Sequence, residues 1–84
     1  MKQEIRKLLG TDKLLIGTER TIKELRNGTL SKVILADNCP VDERVEIERL
    51  AELAGTAVEL SGVDNEELGV LCRKPFRIAV LGIK

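Results

Sequence analysis

Four short runs of apolar residues, each the length of a strand, are separated by segments in which apolar residues recur at helical spacing. The runs are Lys13 to Gly17, Lys32 to Ala36, Thr56 to Leu60 and Arg77 to Ile83. Around them, Ile5, Leu8 and Leu9 share one helical face. Ile22 and Leu25 share another, Ile47, Leu50, Ala51 and Ala54 form a single stripe, and Leu68, Leu71 and Cys72 form a last one. A recurrence at every third or fourth residue marks an amphipathic helix, and a short run rich in branched side chains marks a buried strand. The order is therefore α-β-α-β-α-β-α-β. Strands that alternate with helices need a parallel or mixed sheet covered on both faces. The expected fold class is α/β, a three-layer α/β/α sandwich with a four-stranded sheet, in one domain spanning residues 1–84.

Local punctuation sets the expected boundaries. Gly10 ends the first helix, Thr18 offers an N-cap for the second, and Asn27-Gly28 stops it. Pro40 closes the second strand, Asp42 offers a cap for the third helix, and Gly55 ends that helix. Asp64 or Asn65 begins the fourth helix, and Arg73-Lys74-Pro75 breaks it.

A chain of 84 residues supports one compact core. It contains no histidine. That excludes His-based acid–base chemistry, the Ser-His and Cys-His nucleophile pairs and most zinc sites. It carries no Gly-x-Gly-x-x-Gly and no Gly-Lys-Ser/Thr phosphate loop. The expectation is a binding protein, not an enzyme, with no cofactor and no metal. No apolar run reaches the length of a membrane span, and Lys2 to Leu9 lacks the apolar core of a signal peptide. Two cysteines, Cys39 and Cys72, fit a reducing compartment. A cytoplasmic protein without membrane association, monomeric when free, is expected. Cys39 precedes a helix start that would lower its pKa, whereas Cys72 lies on an apolar helix face and reads as core.

The formal net charge is zero, yet the charges are strongly segregated. Residues 1–34 carry eight Lys/Arg against four Asp/Glu, residues 35–67 two against ten, and residues 68–84 four against none. If the two basic ends meet in space, a neutral protein acquires a basic face suited to nucleic acid.

Two stretches carry candidate contacts for such a partner. In Gly17 to Lys23, a glycine lets a ligand approach the backbone, and the following helix aligns Arg20, Lys23 and Asn27 on one side. An ordinary solvated face is the competing reading. In Arg73-Lys74-Pro75-Phe76-Arg77, the chain's single aromatic residue is bracketed by cations, as stacking on an unpaired base requires. A lone phenylalanine on its own more often reads as core.

These stretches also carry a resemblance. Ile16 to Gly28 (IGTERTIKELRNG) resembles the strand–helix signature of the kink-turn RNA-binding superfamily of ribosomal proteins L7Ae and L30e. Val33 to Pro40 (VILADNCP), Glu46-Ile47-Glu48 and Glu67-Leu68-Gly69 with Phe76-Arg77 resemble the L30e branch in order and spacing, and together the motifs cover residues 13–83. The resemblance implies a four-stranded mixed sheet and a ribosomal or ribosome-associated RNA-binding protein that recognises a kink-turn or related helix-loop-helix RNA. It implies that Gly17, Thr18, Glu19, Arg20 and Lys23 meet the kinked backbone and its G·A pairs, that Asn38 reads a base edge, and that Arg73, Lys74, Phe76 and Arg77 meet a flipped-out nucleotide. The chain departs from it at three positions. Glu19-Arg20 stand where general kink-turn readers carry Asn-Glu, and Arg73 stands where the L30e branch commonly has glycine. A kink-turn binder in another ribonucleoprotein, or a protein-interaction scaffold of the same fold using the acidic third helix, are the alternatives.

Overall fold

The structure is a computed structural model that describes residues 2–84. Eight elements follow in the expected order: α1 (Lys2–Leu8), β1 (Leu14–Ile16), α2 (Thr18–Arg26), β2 (Lys32–Leu35), α3 (Val41–Ala54), β3 (Ala57–Leu60), α4 (Asn65–Leu71) and β4 (Val80–Ile83). The strands form one sheet in the order β1-β4-β2-β3. Strands β2 and β3 are parallel, joined by the crossover helix α3 that such a pair requires. The last strand, β4, enters between β1 and β2 and runs antiparallel to both.

Alternation along the strands divides the core into two layers. Leu14, Ile34, Leu81 and Ile83 face Ile5 of α1, Leu68 and Leu71 of α4 and Cys72 just past its end. Val33, Leu35 and Val80 face Leu25 of α2 and Ile47 and Ala51 of α3. Successive strand residues point to opposite faces, so each central strand serves both layers. Ile5 is fully buried, and one such side chain contributes roughly 1.5–3 kcal/mol towards holding the seven-residue α1 in place.

Several local expectations shift. Gly17, not Thr18, is the N-cap of α2, and Pro40, not Asp42, is the N-cap of α3; neither helix has a side-chain cap. Thr18 and Asp42 sit inside the first turn, where Pro40's fixed φ and Gly17's positive φ have already set the entry angle. The last strand begins at Val80 instead of Arg77, because residues 73–79 leave the sheet plane as a loop over α4. Within α3, Ile47 and Ala51 are buried and Leu50 half-buried, whereas Ala54 is exposed at the fraying end. Asp64 caps α4 as expected, its side chain accepting from the Glu67 backbone N–H at 2.9 Å.

Candidate nucleic-acid interface

The topology gathers the site at one end of the sheet. Because β1, β2 and β3 run the same way and β4 runs against them, the ends of the first three strands lie beside the start of β4: Ile16 opposes Leu81, and Leu35 opposes Val80. The start of α2, the Asp37–Pro40 turn and the 73–79 loop therefore emerge together. Nine of the ten candidate residues lie on these three segments, and the tenth, Lys23, lies further along α2 in its last turn.

Gly17 is held by its N–H donating to the Val80 carbonyl at 3.1 Å, and its own carbonyl accepts from the Thr21 N–H. Its φ of 113° lies where side-chain-bearing residues are strained. A Cβ there would meet nothing within 4 Å. The constraint is conformational, and the open space leaves this backbone accessible to another molecule. From it, α2 carries Glu19, Arg20 and Lys23 outward, while Thr21 and Leu25 face the sheet. Arg20 and Lys23 line a shallow groove with Leu15 and Glu24 along the β1 edge.

On the other face of β1, Ile16 lines a second groove of about 300 Å³ with Leu9, Gly10, Cys72, Arg73 and Lys74. The short edge strand β1 thus separates two grooves, each with a pair of cations on its wall. Two cations of the first basic segment and two of the last thus stand on either side of one strand. The acidic α3 packs over the β2–β3 side and against α2, where Arg26 pairs with Glu46 at 3.6 Å.

Phe76 is 56 % exposed, so it is not core. With Val70, Lys74, Pro75, Arg77 and Glu66 it lines a groove of about 290 Å³. Three backbone contacts fix its loop: the Lys74 N–H donates to the Gly69 carbonyl at 2.9 Å, the Ile78 N–H to the Asn65 carbonyl at 2.9 Å, and the Ala36 N–H to the Ala79 carbonyl at 2.8 Å. Arg73 adopts a φ of 56°, the single non-glycine residue with positive φ among the described residues. A left-handed conformation costs a side-chain-bearing residue roughly 1–2 kcal/mol, which a glycine would not incur.

Asn38 is oriented by a reciprocal pair: its Nδ2 donates to Asn65 Oδ1 at 3.2 Å and its Oδ1 accepts from the Asn65 N–H at 2.8 Å. Asp37 Oδ1 accepts from the Gly62 N–H at 3.0 Å, stitching the same turn to the one after β3. Asn65 thus joins the Asn38 turn to the Phe76 loop. Its supporting role was invisible in the sequence, where it read only as a helix start. Gly69 carried a usable signal, since a glycine inside a helical pattern costs about 1 kcal/mol relative to alanine and calls for a packing reason.

Like Arg6, Lys7, Lys13, Arg49 and Lys84, the cations of these grooves stand outside the ion pairs found among the described residues. Among the described residues, the carboxylate pairs within 4 Å involve Arg26, Lys32 and Arg44. None involves Arg20, Lys23, Arg73, Lys74 or Arg77. The thiols lie apart from this chemistry. Burial, then the Glu43 charge, pushes Cys39 up despite Arg44, reversing the expected lowering; burial also pushes Cys72 up despite Lys74. Both thiols are buried and free. The described residues hold no group of His, Cys, Asp or Glu side chains arranged for a metal ion, and no helix is long and apolar enough to cross a membrane.

Comparison with known proteins agrees with this fold. The sequence profile of the Ribosomal protein L7Ae/L30e/S12e/Gadd45 family matches residues 1–84. The chain is similar to the large ribosomal subunit protein eL30 of Methanocaldococcus jannaschii, 35 % identical over 81 residues, covering 96 % of this chain and 74 % of that protein. It is similar to the eL30 of Methanosarcina mazei, 37 % identical over 81 residues, covering 92 % and 71 %. A solved structure of a protein with unknown function from Bacillus halodurans C shares the fold, with a TM-score of 0.81 at 22 % identity over 99 % of this chain and 79 % of that one.

Proposed function

This chain belongs to the Ribosomal protein L7Ae/L30e/S12e/Gadd45 family, and on that premise we propose that it is an RNA-binding component of the ribosome that recognises a kink-turn or related helix-loop-helix RNA. The observation that carries this reading is the gathering of Arg20, Lys23, Arg73, Lys74 and Arg77 in the grooves around β1 and the exposed Phe76, none of them in a carboxylate pair among the described residues. Cations held apart from carboxylates are available to phosphates, and release of counterions from the RNA drives such binding.

The division of labour follows from side-chain chemistry. Arg20 and Lys23 take backbone phosphates beside the exposed start of α2, and the Gly17–Thr18 backbone allows a sugar-phosphate strand to approach. Glu19 accepts from the Watson–Crick edge of a guanine, with Arg20 reaching a phosphate or guanine O6 and N7. Asn38, fixed by Asn65, offers its remaining amide N–H to a base edge. Phe76 supplies a stacking surface for a base expelled by the kink, and Arg73, Lys74 and Arg77 neutralise the phosphates around it. The work is binding, not catalysis, and the place of action is the cytoplasmic ribosome.

Binding to a bulged kink-turn hairpin, compared with a straight duplex of equal length, tests this reading. The expected result is a preference of about a hundredfold or more for the kinked RNA, lost with salt in the manner of several phosphate contacts. Equal affinity for the two RNAs would overturn it.

A further inference from the structure

We infer that the RNA footprint extends onto α1, with Arg6 as an additional phosphate contact in a channel that leaves the kink and runs between α1 and α4. The inference rests on the RNA-binding reading and adds a residue from a helix that the sequence motifs do not reach. Its basis is the continuity of two grooves through Arg73. One groove passes Ile16, Leu9, Gly10, Arg73 and Lys74 at the end of β1. The next, of about 310 Å³, is lined by Arg73, Leu71, Val70, Glu67 and Arg6. A strand seated against Lys74 and Arg73 is thereby led towards Arg6.

The channel is firmly built. Ile5, next to Arg6, is fully buried against Leu68, Leu71 and Cys72, so α1 is anchored directly on α4. The neighbouring Arg6 is exposed. It shares the groove with Glu67, and among the described residues it makes no carboxylate contact within 4 Å. Its position in the last turn of α1 suits the helix dipole, but Lys7 already meets that need. Arg6 and Arg73 thus hold positive charge on two walls of one groove. Glu67, which lines the same groove, is unfavourable to a phosphate beside it, so the contact falls to the two arginines.

The test measures affinity for the kink-turn hairpin against salt concentration, using the full chain. Arg6→Ala should weaken binding about three- to tenfold near physiological salt and lower the salt slope by about one. Arg6→Lys should restore the slope, and Arg6→Glu should lose more than Arg6→Ala. Arg49→Ala on the far helix α3 serves as the control and should change neither quantity. Unaltered affinity and slope for Arg6→Ala, in a protein where Lys23→Ala does weaken binding, would overturn the extension and leave the RNA reading standing. If Lys23→Ala also changes nothing, the RNA reading fails and the extension with it.

Discussion

The carbonyl oxygen of Phe76 rests on the α-carbon face of Gly69, in the space that a Cβ on residue 69 would occupy. The obstacle is backbone, so no side-chain rotation relieves it. Gly69 lies inside α4, where glycine is otherwise unfavourable by roughly 1 kcal/mol relative to alanine. The helix accepts that cost because the loop bearing the aromatic residue lies directly against it. Gly69→Ala therefore improves the helix locally but displaces the loop. The net expectation is a loss of about 1–3 kcal/mol in urea denaturation. RNA affinity should fall with it, and a variant as stable as the parent with full affinity would contradict this packing.

Phe76 separates stability from binding. Being more than half exposed, it contributes little to the core, and Phe76→Ala should alter unfolding by less than about 0.5 kcal/mol. Its loss as a stacking surface should cost ~1–3 kcal/mol in RNA binding. Filter binding and denaturation on the same preparation check both halves, and a large loss of stability would return Phe76 to the core.

The contrast between Gly69 and Phe76 shows how much was legible beforehand. Periodicity reveals the eight elements because each central strand must feed two apolar layers, as Val33 and Ile34 do on opposite faces. Segregated charge reveals which segments converge. Strand order is not written in any local pattern: β4 is last in sequence yet central in the sheet, and only that insertion brings Ile16 beside Arg73 and Lys74. The exposure of Phe76 was equally hidden, since it depends on a carbonyl meeting a glycine seven positions earlier. The Asn38–Asn65 pair joins turns far apart in the chain, and short-range spacing cannot encode it.

Thr21 offers a gain in stability. It is fully buried on α2 over Gly82, and its hydroxyl has no hydrogen-bond partner. A buried unsatisfied hydroxyl costs about 1–3 kcal/mol, whereas an apolar group of the same shape does not. Thr21→Val should raise the urea midpoint at unchanged slope, by about 1 kcal/mol of stability, and leave RNA affinity intact because the side chain faces away from the site. A destabilised Val variant would show that the hydroxyl is satisfied in solution.

Lys32 predicts an alkaline limit. Its Nζ lies 2.8 Å from Glu4 Oε1 and 3.7 Å from Glu59 Oε1, tying α1 and β3 to the start of β2. The Glu4 hydrogen bond, with both carboxylate charges, raises its pKa above the ordinary 10.5 against an opposing burial effect. A raised cation pKa contributes stability that is complete below the ordinary value and is lost as pH climbs through the folded one. Lys32→Met should therefore lower stability by no more than about 1 kcal/mol at pH 7, since the pair is partly exposed. The difference from the parent should persist to about pH 10 and shrink above it. A difference that vanishes already at neutral pH would exclude the pair as its source.

Arg73 holds stability and binding in opposition. Its left-handed backbone costs roughly 1–2 kcal/mol that glycine would not incur, while its side chain stands in two of the basic grooves. Strain retained by a charged residue where glycine fits better implies that the charge is what the position serves. Arg73→Gly should raise stability by up to about 1 kcal/mol, discounted for the greater freedom of glycine in the unfolded chain. It should also weaken RNA binding and lower the salt slope by about one. Arg73→Ala, which keeps the strain and removes the charge, should lose the same affinity with no gain in stability. Equal stability of the Gly and Ala variants would show that the loop relaxes freely, and undiminished RNA affinity in both would remove Arg73 from the interface.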